Sequence, residues 1–141
     1  MCINLWRKAG IVVKSWITHV ALYVKDMERM RDFYVKYFDG VSNDKYVNNK
    51  GFSSYFITFS SGTRLEIMDH IELVERTVLD KVNGLSHVAF CVGSKEAVIE
   101  LTSQLSADGY EVYSPPRLTG DGYFESCVSD PEGNRVEISE S

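Results

Sequence analysis

The chain has 141 residues, of which 44% are hydrophobic, 12% aromatic and 25% charged, and its formal net charge is −5. These values are typical of one globular domain, or of two small modules that share a core. The negative charge offers no basic surface for a phosphate backbone, so we expect no nucleic-acid partner. No apolar run approaches the ~20 residues of a membrane-spanning helix, so we expect no membrane insertion.

The cysteines and the N-terminal segment indicate in which cellular compartment we expect the protein. Cys2, Cys91 and Cys127 form no CxxC spacing, which indicates neither a disulfide framework nor a zinc knuckle. Residues 1–15 hold only a short apolar stretch, briefer than the core of a secretory signal. We therefore interpret residues 1–15 as an extension, predict a domain over residues 16–141, and expect a cytoplasmic location.

The first half of the domain, residues 16–70, predicts the order β-α-β-β-β. Residues 17–24 alternate with the period of a half-buried strand. Residues 27–38 carry an apolar stripe at helical spacing, with Asp26 as the N-cap and Gly40 as the stop. Three extended runs follow, at residues 41–47, 53–60 and 64–68.

The second half, residues 84–139, predicts the same order after a linker at residues 71–83 that we expect to be a short helix. A strand at residues 85–92 leads to a helix at 95–107, which begins after Ser94 and ends before Gly109. A short strand at 110–113 is expected to end at the pair Pro115-Pro116. Further strands are predicted at 123–129 and 135–139, on either side of a turn at 130–134.

The two halves repeat short strings of sequence. The strand that contains His19 recurs 68 residues later around His87, and the RxEI string of Glu66 recurs 71 residues later around Glu137. Because strand side chains alternate between faces, each His shares a face with a small alanine, and each Glu lies opposite the apolar face that a helix covers.

We therefore predict that the two helix-free faces present His19, Glu66, His87 and Glu137 to a shared cleft. Two imidazoles and two carboxylates suit a divalent first-row metal ion and leave positions open for a chelating substrate. The alternative is that the repeated strings serve packing, with each histidine hydrogen-bonded and each glutamate solvated.

With these residues in view, the chain resembles the vicinal oxygen chelate superfamily of glyoxalases, bleomycin-resistance proteins and extradiol dioxygenases. The resemblance rests on the paired βαβββ order, the HVAxxV openings, the DFYVKYF helix and the DPEGNRVEI ending. It implies an α+β fold in which two tandem βαβββ modules form an open eight-stranded cup around a metal. Members build the cup within one chain or across a dimer with exchanged modules, and we expect a homodimer.

Within the superfamily, the ligand set resembles that of glyoxalase I, which implies His19, Glu66, His87 and Glu137 as ligands of Ni, Zn, Co or Mn. The implied activity is that of a lyase or isomerase that moves a proton through an enediolate of a small substrate with vicinal oxygens. The implied base is Glu137, with Glu66 as second choice. The chain has Tyr23 where glyoxalase I has an arginine for glutathione, which leaves the thiol co-substrate open.

Other members of the superfamily give alternatives. A methylmalonyl-CoA epimerase-like isomerase has Gln in place of Glu66, and an iron oxygenase leaves Glu66 without a role. A non-catalytic binder of antibiotics or other small molecules needs no metal and would stack its ligand on Tyr23, Tyr55 and Tyr123.

Substrate contacts are predicted from residues near these strings. We expect Tyr23, Arg64 and Tyr123 to contact the substrate. Arg117 and Arg135 are further candidates for an anionic group, with solvation or a local ion pair as the alternative for each arginine. The loop at 119–122 is either a flap over the site or an ordinary hairpin turn.

Overall fold

The computed structural model describes residues 14–77, 81 and 83–140, so residues 1–13 of the predicted extension lie outside the described part. The described residues form two helices and nine strands. In chain order these are β1 His19–Tyr23, α1 Met27–Phe38, β2 Val41–Ser42, β3 Tyr46–Val47, β4 Phe52–Thr58, β5 Arg64–His70, β6 His87–Cys91, α2 Lys95–Ala107, β7 Val112–Leu118, β8 Phe124–Ser129 and β9 Arg135–Ser139.

The strands form two sheets, one in each half of the chain. The first sheet has the order β1-β5-β4-β2 with β3 also paired to β4, and the second has the order β6-β9-β8-β7. In each sheet the first strand pairs in parallel with the last strand of its half, and the remaining pairs are antiparallel. The predicted α+β fold with two modules is confirmed. The described helices include none long and apolar enough to cross a membrane.

Helix α1 begins as the sequence predicts but ends differently. The Asp26 side chain accepts a 3.0 Å hydrogen bond from the Arg29 N–H, which satisfies a donor at the first turn. The helix ends with Asp39 in the left-handed region at φ 52°. Gly40 is therefore not the left-handed stop. A Cβ on Gly40 would lie 2.4 Å from Ile57 Cγ2, so this position requires a glycine for close packing.

Helix α2 has both predicted ends. The Ser94 hydroxyl accepts a 3.1 Å hydrogen bond from the Ala97 N–H at the start. Gly109 follows the helix with φ +93°, a conformation that side chains with a Cβ rarely adopt.

Helix α1 lies between the two sheets. Its buried side packs on β4 and β5, and its Phe38 ring stacks on Phe90 of β6 at a centroid distance of 4.2 Å. Phe90 also meets Phe59 at 4.9 Å. Because strand residues alternate, His87, three residues before Phe90, lies on the face of β6 that points away from α1.

Strand β7 runs through the two prolines that were expected to end it. It extends from Val112 to Leu118, with register shifts around Ser114. The reason is its place at the edge of the second sheet, where one side of the strand needs no hydrogen-bond donors and where bulges accommodate proline.

The segment predicted as one strand at 41–47 is two short strands. The Asn43 side chain accepts a 2.7 Å hydrogen bond from the Phe56 N–H, so a side chain replaces part of the strand pairing there. The linker contains no helix among residues 71–77, 81, 83 and 84, which form turns and irregular chain, and its other residues lie outside the described part.

Candidate functional site

The first His–Glu pair lies on the open face of the first sheet. His19 on β1 and Glu66 on β5 occupy neighbouring parallel strands, and His19 Nε2 lies 3.8 Å from Glu66 Oε2. In register, Glu66 faces Ala21, whose small side chain leaves room between the two strands. Leu65 and Ile67 are buried on the opposite face, as the alternation predicts.

The second pair repeats this arrangement. His87 on β6 and Glu137 on β9 are parallel neighbours with Ala89 opposite Glu137 in register, and His87 Nε2 lies 3.3 Å from Glu137 Oε2. The His87 side chain is 41% exposed and that of Glu137 is 21% exposed, so both remain accessible to a ligand. The predicted pairing of one His with one Glu in each module is therefore present.

Each histidine is also held by the hydroxyl of the residue before it. Thr18 Oγ1 lies 3.1 Å from His19 Nδ1, and Ser86 Oγ lies 3.2 Å from His87 Nδ1. In the tautomer whose Nδ1–H donates to the hydroxyl oxygen, Nε2 carries a lone pair on the side of the carboxylate. This is the arrangement in which an imidazole serves as a metal ligand.

Each pair is suited to hold part of a metal coordination sphere. Donors bound at adjacent positions to one first-row metal are about 3 Å apart, given metal–ligand bonds near 2.1 Å, and the observed separations are 3.8 and 3.3 Å. The structure does not bring the two pairs together. Within the described part of one chain, no group of three or more His, Cys, Asp or Glu side chains can hold a metal ion. The ligand set of four thus remains a prediction.

Two residues that sequence reasoning missed lie beside Glu137. Cys127 pairs with Glu137 in register, and Glu125 lies two residues before it on the same face of β8. Burial, followed by repulsion from Glu137, raises the pKa of the Glu125 carboxyl. The 71-residue offset relates them to Phe56, the register partner of Glu66, and to Ser54, but the sequence alone does not give that register.

Neither cysteine of the second sheet is fully buried. Cys127 is half-buried, and Cys91 is exposed on β6. Burial is the main cause that raises the pKa of the Cys127 thiol, so the group is a neutral thiol beside the carboxylates.

The residues predicted to contact the substrate differ in their exposure to solvent. Tyr23 on β1 is 55% exposed and Tyr123 is 54% exposed. The Arg64 guanidinium lies over the Phe56 ring at 4.5 Å, next to His19, whose ring contacts the edge of Phe56 at 5.4 Å. Tyr55 is 6% exposed on the opposite face, so its stacking on a ligand, as the binding-protein alternative requires, is wrong.

The loop that precedes β8 is a hydrogen-bonded turn. The Thr119 N–H donates to the Tyr123 carbonyl at 2.8 Å, and the Tyr123 N–H donates to the Thr119 hydroxyl at 3.0 Å. Of the two interpretations of residues 119–122, this closed geometry favours the ordinary hairpin turn.

Paired βαβββ modules, each with an open face that bears a His–Glu pair, define the class of protein. The sequence pattern of the Glyoxalase/Bleomycin resistance protein/Dioxygenase superfamily matches residues 16–138. The chain therefore belongs to this superfamily, and the resemblance inferred from the sequence is confirmed.

Individual relatives agree with that assignment. The uncharacterized protein YqjT of Bacillus subtilis is 29% identical over 124 residues, which cover 85% of this chain and 94% of YqjT. A glyoxylase/bleomycin resistance protein/dioxygenase domain from Frankia sp. EAN1pec matches with a TM-score of 0.78 and 18% identity, over 92% of this chain and 99% of its own. Lactoylglutathione lyase from Agrobacterium tumefaciens matches with a TM-score of 0.67 and 22% identity, over 91% and 95% of the two chains. At these identities the two solved structures show a shared fold.

Proposed function

We propose that the protein is a metal-dependent lyase or isomerase of the glyoxalase type that acts on a small substrate with vicinal oxygens. The observation that carries the proposal is the duplicated His–Glu pair, with each imidazole Nε2 aimed at a carboxylate and each Nδ1 at a hydroxyl. The fold shared with a lactoylglutathione lyase supports the same reaction class. Nickel, zinc, cobalt and manganese all suit the proposed set of two nitrogen and two oxygen donors.

The complete site needs a second copy of the chain. Helix α1 separates the sheets of one chain, so His19 and His87 point away from each other across a common core. A homodimer with a two-fold axis would bring the His19–Glu66 pair of each copy to the His87–Glu137 pair of the other. Two equivalent sites would result, each with two carboxylates to balance a divalent cation.

The edges of the sheets support this assembly. Strands β1 and β6 are edge strands, and each pairs with a single described neighbour. Large apolar side chains just before them are exposed, with Trp16 at 79% and Leu85 at 80%. An open strand edge beside exposed apolar side chains favours pairing with another chain over exposure to water.

The residues of the proposed site have different chemical roles. A divalent metal ion supplies Lewis-acid polarisation of two adjacent substrate oxygens when bound. Glu137 removes the proton from one substrate carbon and returns it to the neighbouring carbon, since its carboxylate is accessible within the cleft. His87 and Ser86 hold the geometry around that carboxylate, and Glu66 is the second candidate for the base.

Metal analysis tests the proposal. Inductively coupled plasma mass spectrometry of the wild type should find about one nickel, zinc, cobalt or manganese ion per chain, because a two-fold dimer has two sites. The variant His87→Ala should lose that metal, while Lys50→Ala, an exposed change away from the pair, should retain it. A wild type that binds no metal after reconstitution would contradict the proposal and favour the non-catalytic binding protein.

A further inference from the structure

The cleft beside the second His–Glu pair has a charge opposite to that of the whole protein. A cavity of 740 Å³ opens there, lined by more cationic than anionic side chains. Its charged residues are Arg76, Lys81, Arg117, Arg135, Glu125 and Glu137. Four cations against two carboxylates in a chain of net charge −5 give a local positive potential, which attracts anionic ligands into the cleft.

Arg117 is a half-exposed cation of this cleft. It lies on β7 and is the cross-strand partner of Glu125 on β8. Its Nη1 donates to the Ser114 hydroxyl, and its Nη2 forms the local ion pair that the sequence left open, at 3.7 Å from Glu125 Oε1, which is beyond hydrogen-bond distance. The side chain is 49% exposed, so a guanidinium with five N–H donors retains several for a ligand.

The duplicated first module shows that the fold does not require this charged pair. The 71-residue offset that relates Glu66 to Glu137 also relates Tyr46 to Arg117 and Ser54 to Glu125. Tyr46 and Ser54 are cross-strand partners, as Arg117 and Glu125 are. One module thus forms the same strand pair with two neutral side chains, so strand pairing at this position does not depend on the charges of the other.

We propose that Arg117 binds a carboxylate, phosphate or phosphonate group of the substrate while the vicinal oxygens lie at His87 and Glu137. The substrate class is then a small acid, and this inference rests on the proposed function. The spacing is compatible with one molecule. Arg117 pairs with Glu125, and Glu125 pairs with Ser139, two residues beyond Glu137. Two strand spacings and two residues of strand rise place the Arg117 and Glu137 Cα atoms about 12 Å apart, a span that the arginine side chain and a small acid can cover together.

The test compares chelators that differ in charge. Isothermal titration calorimetry on metal-loaded protein would use acetohydroxamate, which has no anionic group besides the chelating one, succinyl monohydroxamate, which adds a carboxylate, and phosphonoacetohydroxamate, which adds a phosphonate. The wild type should bind at least one charged chelator about tenfold more tightly than acetohydroxamate, since hydrogen bonds from a guanidinium to an anion are charge-assisted. The charged chelator that binds more tightly identifies the anion.

Two variants assign the effect to Arg117. Arg117→Gln should reduce the preference several-fold, because Arg76, Lys81 and Arg135 remain in the cleft, and should leave the Kd of acetohydroxamate unchanged. Arg29→Gln removes the same charge from an exposed position on α1 and should keep the preference. A wild type without the preference, or an Arg117→Gln variant that retains it in full, would overturn the inference.

A metal-free arm separates this inference from the proposed function. Succinate and phosphonoacetate, titrated into metal-free wild type and Arg117→Gln, should bind more weakly to the variant. If acetohydroxamate fails to bind loaded protein while this difference persists, the metal centre is contradicted and the anion subsite is supported. If acetohydroxamate binds but the variant and wild type take up both anions equally, the subsite is overturned and the metal centre stands.

Discussion

The Tyr34 hydroxyl on α1 donates a 3.0 Å hydrogen bond to Asp130 Oδ2, in the turn between β8 and β9 of the other module. Both residues are buried, at 1% and 2% exposure. The Asn134 side chain donates to the same oxygen at 2.8 Å, and its backbone N–H donates to Oδ1 at 2.9 Å. Burial raises the pKa of the Asp130 carboxyl despite these donors. The contact therefore joins the two modules through a carboxylate that depends on its hydrogen bonds.

Tyr34→Phe should reduce the free energy of unfolding by about 1–3 kcal/mol, because a buried carboxylate loses a donor. The pKa of Asp130 is raised in the folded protein, so this group's contribution to stability falls as pH rises from the unfolded value through the folded one. The variant raises that pKa further, so its loss should be larger at pH 7 than at pH 4. Urea unfolding at both pH values measures this, and an equal loss would contradict the role of the ionised carboxylate.

Glu132 makes a second contact between the modules. Its Oε1 accepts 2.8 Å hydrogen bonds from the backbone N–H groups of Lys25 and Asp26, at the start of α1. Glu132→Ala should therefore cost about 1–2 kcal/mol of unfolding free energy. Glu75→Ala is the matched control, because it removes an exposed ion pair with Lys25, worth about 0–1 kcal/mol. Equal effects of the two changes in thermal unfolding would refute the proposed contact.

Gly40 is required by packing. Gly40→Ala should destabilise the protein by about 1–3 kcal/mol, because its Cβ would overlap the fully buried Ile57. Gly120→Ala is the control, since a Cβ there meets no atom of the described residues within 4 Å. The control should change stability by less than about 0.5 kcal/mol. The denaturant midpoints of the two variants measure this difference. A Gly40→Ala variant as stable as Gly120→Ala would show that the Ile57 side chain moves aside without loss of stability.

Glu137 carries the proposed proton transfer. Glu137→Gln should abolish turnover of hemithioacetal substrates, because the amide cannot accept the proton, while the melting temperature stays within a few degrees of the wild type. Asp32→Asn, a change on the exposed side of α1, should keep full turnover. Turnover by Glu137→Gln at the wild-type rate would exclude Glu137 as the base and leave Glu66 as the candidate.

The repeated strings predicted most of the fold because strand alternation and helix capping depend on residues that are close together in the sequence. Alternation around His19 and His87 identified the exposed faces of β1 and β6, and both strands have that burial pattern. The caps at Asp26 and Ser94 depend on residues within one turn of the helix, so the local sequence predicted them too.

The errors have tertiary causes. The prolines of β7 are tolerated because this strand lies at the edge of its sheet, a place that the local sequence does not specify. The division of the site between two faces depends on α1 lying between the sheets, which follows from contacts such as Phe38 with Phe90. Alternation along β8 did not identify Glu125 as a neighbour of Glu137, because the register between β8 and β9 is a tertiary contact.

The shared site is tested most directly by mixing two inactive chains. Separately, His19→Ala and His87→Ala should each bind no metal at the site, because each dimer has one histidine missing from both of its sites. Unfolded together and refolded as a mixture, they should form heterodimers with one intact site, which contains His19 of one copy and His87 of the other. Native mass spectrometry should then find one metal ion per heterodimer. Heterodimers without metal, or wild-type monomers that hold one ion each, would contradict the account.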